Sequence, residues 1–223
     1  MNICSNRFDF ELRFDEYMAG VLSIEKPEIL SLIIEDLWNQ CNGLEGDLLL
    51  SDSEGTLPFS KCSVFISNPF AIEINSGKVL KELYKELDYK VQEDHFEEFV
   101  EINSKIVLFL DNLEKNCLYP LSFNTELEPS SLFKLYSLKM DWDVCSLLEK
   151  LENYLVIMNQ VCKIFSFFFL NLKQFLDQNS LMEFYRFANY LHVHIFIIEG
   201  QHTQHITGEK GYILDADLCL IEL

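Results

Sequence analysis

Residues 164–199 read IFSFFFLNLKQFLDQNSLMEFYRFANYLHVHIFIIE, and they decide the fold class. Ile164–Leu170 is a short, unbroken apolar run, the pattern of a strand covered on both faces. Ser180–His192 follows at helical spacing, with Ser180 as its candidate N-cap and Glu183 completing a capping box. Val193–Ile198 is a second apolar run, closed by Glu199. Strand, helix and strand on short links predict a parallel pair joined by a right-handed crossover, and hence an α/β protein.

Toward the N-terminus, Phe8, Phe10, Leu12 and Phe14 alternate with charged residues, which reads as a half-exposed strand, and Gly20–Ile24 is expected to pair with it. Pro27 opens a helix through about Cys41, with Ile29, Leu30, Ile33, Ile34, Leu37 and Trp38 on its apolar face. Asp47–Leu50 and Cys62–Ile66 read as further strands on either side of an acidic loop, Ser51–Gly55. Helical spacing then governs Gly77–Lys90, Glu93–Lys115, Ser131–Leu138 and Asp143–Val161, the last with Val144, Leu151, Leu155 and Met158 inward. Tyr212–Leu214 and Leu218–Leu223 are expected as terminal strands. The expected architecture is an α/β head built from both chain ends, residues 1–76 and 162–223, with residues 77–161 as a projecting all-helical insertion, or leg.

Charge limits the function. The 17 Lys and Arg face 36 Asp and Glu, a formal net charge of -19. Such a chain does not coat nucleic acid indiscriminately, because phosphate binding needs local positive charge; a basic stripe within an acidic shell remains compatible with it. Seven cysteines, an odd number with no CxxC spacing, point to reduced thiols and a cytoplasmic setting. Polar Asn159, Gln160 and Lys163 interrupt the most apolar segment, Tyr154–Leu170, so no membrane span is expected.

No catalytic constellation emerges. A phosphate loop needs a glycine five residues before Gly77 and a Ser or Thr after Lys78, and Ile72 and Val79 stand there, so no nucleotide is expected. His192 and His194, which would share a strand face, and His202 with His205 lack a third ligand at recognisable spacing. No GxSxG is present. Glu199 resembles the acid that closes a Walker B strand, with no phosphate loop to serve. The organised positive charge is Lys78, Lys81 and Lys85 at i, i+3, i+7 on one helix, with Lys134 and Lys139 in or just after another. Glu82 and Glu86 neighbour the first group, so solvated ion pairs compete with a DNA-facing stripe as its explanation.

The order of several segments carries a family resemblance. Val21-Leu22-Ser23-Ile24-Glu25 leads into the first helix, and Leu132-Phe133-Lys134-Leu135-Tyr136-Ser137-Leu138-Lys139-Met140-Asp141 follows the long helices. After them come Ile164–Leu170 with its helix, His194-Ile195-Phe196-Ile197-Ile198-Glu199 and Tyr212-Ile213-Leu214-Asp215-Ala216-Asp217. In this order the chain resembles, nearly end to end, the ring-forming accessory protein of type II-A CRISPR systems, which takes part in spacer acquisition. The resemblance implies a degenerate, phosphate-loop-like nucleotide-binding head with a helical leg and no enzymatic activity. It further implies a homotetrameric ring that binds linear double-stranded DNA ends through lysines, supported by calcium, beside the other adaptation proteins and the effector nuclease.

Lys134 and Lys139 match basic positions of that family. Two departures stand out. Asp47–Ser60 holds no lysine where the family has several. The loop Tyr119–Glu128, strongly acidic in the family, offers only Glu126 and Glu128 with the Asn124 amide as calcium ligands. An acidic scaffold that docks protein partners and touches no DNA is the alternative reading.

Overall fold

The computed structural model describes residues 1–14, 18–142 and 145–223. The chain forms two units, one from Met1–Glu73 with Asp143–Leu223 and the other from Ile74–Trp142. The first unit opens with β1 (Asn2–Ser5), β2 (Phe10–Arg13), β3 (Ala19–Ile24), α1 (Pro27–Cys41), β4 (Leu48–Ser51), β5 (Thr56–Leu57), α2 (Phe59–Cys62) and β6 (Ser63–Ile66). The second unit holds α3 (Gly77–Asp94), α4 (Phe96–Lys115) and α5 (Pro129–Leu135). The chain then returns to the first with α6 (Leu147–Gln160), β7 (Ser166–Leu170), α7 (Gln178–Tyr190), β8 (His194–Glu199), β9 (Glu209–Leu214) and β10 (Leu220–Glu222).

Two sheets share the first unit's core. The larger runs β10-β9-β3-β8-β7-β6, all parallel except for β10 against β9. Strands β7 and β8 lie side by side in parallel register, Ser166 opposite His194 and Leu170 opposite Ile198, as the apolar runs of 164–199 require. Phe168 and Phe196 stack across them with ring centroids 4.8 Å apart. The smaller sheet, β2-β1-β4-β5, is antiparallel.

The expected pairing of the Phe8–Phe14 strand with Gly20–Ile24 does not form. Strand β2 pairs instead with β1, Ile3 opposite Leu12, and β3 joins the parallel sheet. The burial of each strand gives the reason. Strand β2 hides alternate residues only, whereas all six residues of β3 are buried and need neighbours on both faces. Gly20 lets the two sheets close on each other: a Cβ there would come within 2.3 Å of the Phe14 ring. That ring instead packs edge-on against Phe196 and Tyr212, at 4.9 and 5.6 Å.

Pro27 stands in the first turn of α1, where its missing N–H costs nothing. Ile33 and Leu37 of the expected apolar face are buried, and Trp38 is exposed. Helix α7 starts at Gln178, capped by Asp177, whose Oδ1 accepts the Ser180 N–H at 2.8 Å. Ser180 is therefore the third helical residue, not the cap, since the aspartate three residues earlier reaches the free amide first.

The division between the units also differs from the expected 77–161 insertion. Helix α6 belongs with the sheet: Leu151 and Leu155 are fully buried, and the Tyr154 ring lies 6.4 Å from Phe167. Periodicity gives a helix an apolar face without saying what covers it. Val144, one of the inward positions expected for this helix, lies outside the described residues. Among the described residues no helix is long and apolar enough to cross a membrane.

Candidate functional site

Helix α3 carries Val79, Leu80, Leu83, Tyr84 and Leu87 along one side, and α5 packs against α3 with Phe133 beside Tyr84. The rings of Tyr84 and Phe133 sit 5.8 Å apart, and the Tyr84 hydroxyl donates to the Leu138 carbonyl at 2.8 Å. Asn75 fixes the segment after α5 from both directions, its Nδ2 donating to Met140 O at 2.9 Å and its Oδ1 accepting Met140 N–H at 3.0 Å. These contacts set the distance between two lysine-bearing helices.

The result is a cleft of about 620 Å3 whose charged lining is Lys81, Lys85 and Lys134 against Asp88 and Glu128. Lys85 also pairs with Glu82 along its own helix at 2.7 Å. Among the described residues, neither Lys81 nor Lys134 has an ion-pair partner. Sequence spacing could not bring Lys134 to α3; the Tyr84–Phe133 packing does. Lys78 lies on α3 and Lys139 four residues past the end of α5, both outside the cleft lining. Tyr84 and Ser130 complete the wall with Gln92. An apolar floor under mobile ammonium groups strengthens their field toward an anion.

The metal candidates fare differently. Glu128 lines the lysine cleft, while Glu126 lies in the preceding loop, where its N–H donates to Asn124 Oδ1 at 3.1 Å. The Thr125 carbonyl is taken by Asn103 Nδ2 at 3.0 Å. Calcium takes about six to eight oxygens, and two exposed carboxylates with a partly used amide do not fit it. Among the described residues, no group of three or more His, Cys, Asp or Glu gathers to hold a metal ion.

The histidines do not share a face. His192 adopts a positive φ of 55° before β8, His194 lies within it, and His205 Nε2 meets the Glu209 carbonyl at 2.9 Å. Among the described residues no cysteine forms a disulfide; Cys62 is buried, and Cys145 and Cys219 are exposed.

Helix α4 follows the helical spacing expected over Glu93–Lys115 without burying its apolar residues. None of its 20 residues is buried. Ile102, Ile106, Phe109 and Leu113 are all exposed, and they recur at steps of four, three and four residues. That is the spacing of a coiled-coil seam, which a second helix covers.

Ser76 opens α3 with no side-chain cap, and the helix it opens belongs to the second unit, which holds no strand among the described residues. Strand β3 is instead the one that runs directly into a helix of the sheet unit, through Glu25 and Lys26.

Residues 39–218 match the family model of the CRISPR-associated protein Cas_Csn2. The chain is also similar to a solved structure, Stu0660 of Streptococcus thermophilus, with a TM-score of 0.65 and 14% identity. The match covers 100% of this chain and 76% of that one, and at this identity the likeness is one of fold. No curated protein matches the chain.

Proposed function

The chain belongs to the CRISPR-associated family Cas_Csn2, and on that premise we propose that it binds the ends of linear double-stranded DNA without acting on them chemically. It does so as a ring, a homotetramer, in spacer acquisition, beside the other CRISPR adaptation proteins and the effector nuclease. The observation that carries this reading is the convergence of Lys81, Lys85 and Lys134 on one cleft in a chain of net charge -19. An acidic surface repels DNA elsewhere and leaves one place for phosphate to dock. Lys78, one helical turn before Lys81, and Lys139, just past α5, extend that track.

The seam of α4 supports assembly, since four large apolar side chains in register stay in water unless another copy covers them. The head supports a degenerate phosphate-loop-like reading. Numbered in chain order, its five parallel strands stand 5-1-4-3-2, an arrangement found among phosphate-loop proteins. A working site needs a glycine-rich loop between first strand and first helix. Here Glu25 and Lys26 alone join β3 to α1, Pro27 offers no N–H, and Glu28 places a negative charge at the helix start. A phosphate finds neither cradle nor favourable field there, which supports a role without catalysis.

Calcium does not enter this reading, because Glu126 and Glu128 do not make a site for it. The test is a titration of fluorescent linear duplex at about 50, 100 and 200 mM salt, each with calcium and with chelator. The expected logarithmic salt slope is about -2.7 or steeper, close to 0.9 for each of the three lysines. Calcium against chelator is expected to change the affinity by less than about twofold. No binding at about 50 mM salt in either condition would contradict the reading and leave an acidic scaffold for protein partners.

A further inference from the structure

Glu199, the last residue of β8, is 0% exposed and lies at the C-terminal edge of the parallel sheet, opposite Ser23 of β3. Its Oε1 accepts the Lys173 N–H at 3.1 Å, and its Oε2 has no hydrogen-bond partner among the described residues. Lys173 sits in the turn Leu172–Gln174 after β7, its side chain 7% exposed. Its ammonium is committed elsewhere, donating to Glu209 Oε2 at 2.9 Å and to the Gln204 carbonyl at 2.7 Å.

Glu209, the first residue of β9, is saturated. Its Oε1 accepts the Tyr185 hydroxyl of α7 at 2.8 Å, and its Oε2 also accepts the Ile206 N–H at 3.0 Å. The titratable groups around Glu199 are therefore Lys173 from the turn, Glu209 from β9 and Tyr185 from α7, while His205, from the connection between β8 and β9, meets the Glu209 carbonyl. Strand β3 contributes Ser23 and the end of β7 contributes Asn171, whose Oδ1 accepts the Gly200 N–H at 3.0 Å.

The charges do not balance. Two buried carboxylates share one ammonium, and that ammonium is bonded to Glu209. An ionised Glu199 would be a buried charge with one hydrogen bond, which costs several kcal/mol in a dry interior. The connection 200–208 depends on the same groups: Lys173 holds the Gln204 carbonyl and Glu209 holds the Ile206 amide. Thr203 Oγ1, in the same connection, is buried and also without a partner among the described residues. The Gly208 carbonyl also accepts the Ala19 N–H at 2.8 Å and His205 Nε2 meets the Glu209 carbonyl at 2.9 Å, so what weakens the closed connection is the pair of unsatisfied polar atoms beneath it, Glu199 Oε2 and Thr203 Oγ1.

We propose that Glu199 is a proton-operated catch for the 200–208 connection. With its proton on, the connection lies closed over the end of the sheet; with the proton lost, the carboxylate is driven toward water and the connection opens.

Burial pushes the Glu199 carboxyl up to about 7, against the opposing pull of the Lys173 amide and ammonium and with a further push from Glu209. In the open state the carboxyl is solvated and returns to its ordinary value of 4.5. The closed state thus binds the proton more tightly. Its advantage is full below pH about 4.5, drains as the pH rises toward about 7, and is gone above that. Between pH 5.5 and 8 the opening constant rises by about 25-fold.

Hydrogen exchange of the wild-type chain between these pH values reads this directly. Peptides covering 200–208 are expected to exchange about 25-fold faster than the intrinsic pH effect alone explains, while peptides within α7 follow the intrinsic effect. Glu199→Gln, which keeps the shape and removes the titration, is expected to abolish the excess. An excess that survives in Glu199→Gln, or no excess in the wild type, overturns the catch. A site-specific NMR titration of the wild-type Glu199 carboxyl stands independently of the variant's folding. A midpoint near 7 supports the proposal, and an ordinary carboxylate midpoint overturns it.

Discussion

Lys81→Glu combined with Lys134→Glu is expected to weaken binding to linear duplex DNA by more than about 100-fold at low salt. Both ammonium groups face the same cleft, neither is neutralised by a partner among the described residues, and Lys85 is already shared with Glu82. Reversal removes two positive charges and adds two negative ones beside Asp88 and Glu128, so the cleft repels phosphate outright. The milder pair Lys81→Ala and Lys134→Ala separates charge from shape. It is expected to reduce the magnitude of the salt slope by about two for each engaged chain. Both side chains are exposed, so the melting temperature is expected to stay within a few degrees of the wild type. A loss of less than about threefold in the double reversal would place the DNA elsewhere on the molecule.

Phe109→Glu is expected to collapse the assembly to single chains in sedimentation velocity. Phe109 is 61% exposed in the isolated chain and central to the seam of Ile102, Ile106 and Leu113. Glutamate at that position is tolerated by a single chain, because the side chain stands in water there. In a packed seam the same carboxylate loses its hydration without gaining a partner, a penalty of about 3–5 kcal/mol at each buried copy. A C2-type seam presents the residue from both sides and so incurs that penalty twice. Unaltered mass in this variant would remove α4 from the interface. Retained assembly in Leu108→Glu, on the opposite face of α4, serves as the control for a general effect of charge on the helix.

The parallel core was legible because residues 164–199 combine two apolar runs with a periodic helix between them, and few folds accommodate that order. The placement of β3 was less so. Alternation in Phe8–Phe14 says which side of a strand is buried, and nothing in it names the strand alongside. Strand β1 leaves no mark in the sequence, because Asn2–Ser5 is short and without alternation of large residues. Helix α6 reads in sequence much like α3 and α4, since an apolar stripe is the same whether a sheet or another helix covers it.

The same ambiguity shaped the site. Lys81 and Lys85 share a face by helical geometry, which sequence shows. Their meeting with Lys134 depends on the Tyr84–Phe133 contact between residues 49 positions apart in the chain. In α4, helical spacing shows an apolar stripe without saying what covers it, and only the packed structure leaves Ile106 and Leu113 exposed with Ile102 and Phe109. In sequence Glu199 is an acid closing an apolar strand, with no partner legible beside it. Its context comes from Lys173 and Glu209, 26 residues before it and 10 after it, which only the sheet edge brings together.

The central claim is that this chain holds DNA by its ends. It is tested most directly by the electrophoretic mobility of one duplex offered in two forms, linear and covalently closed circular, at low salt. The account predicts that the linear form is retarded, that the closed circle is bound at least about tenfold more weakly, and that a single double-strand cut restores binding. Equal retardation of both forms would contradict end recognition and leave a lysine cleft that grips any duplex from the side.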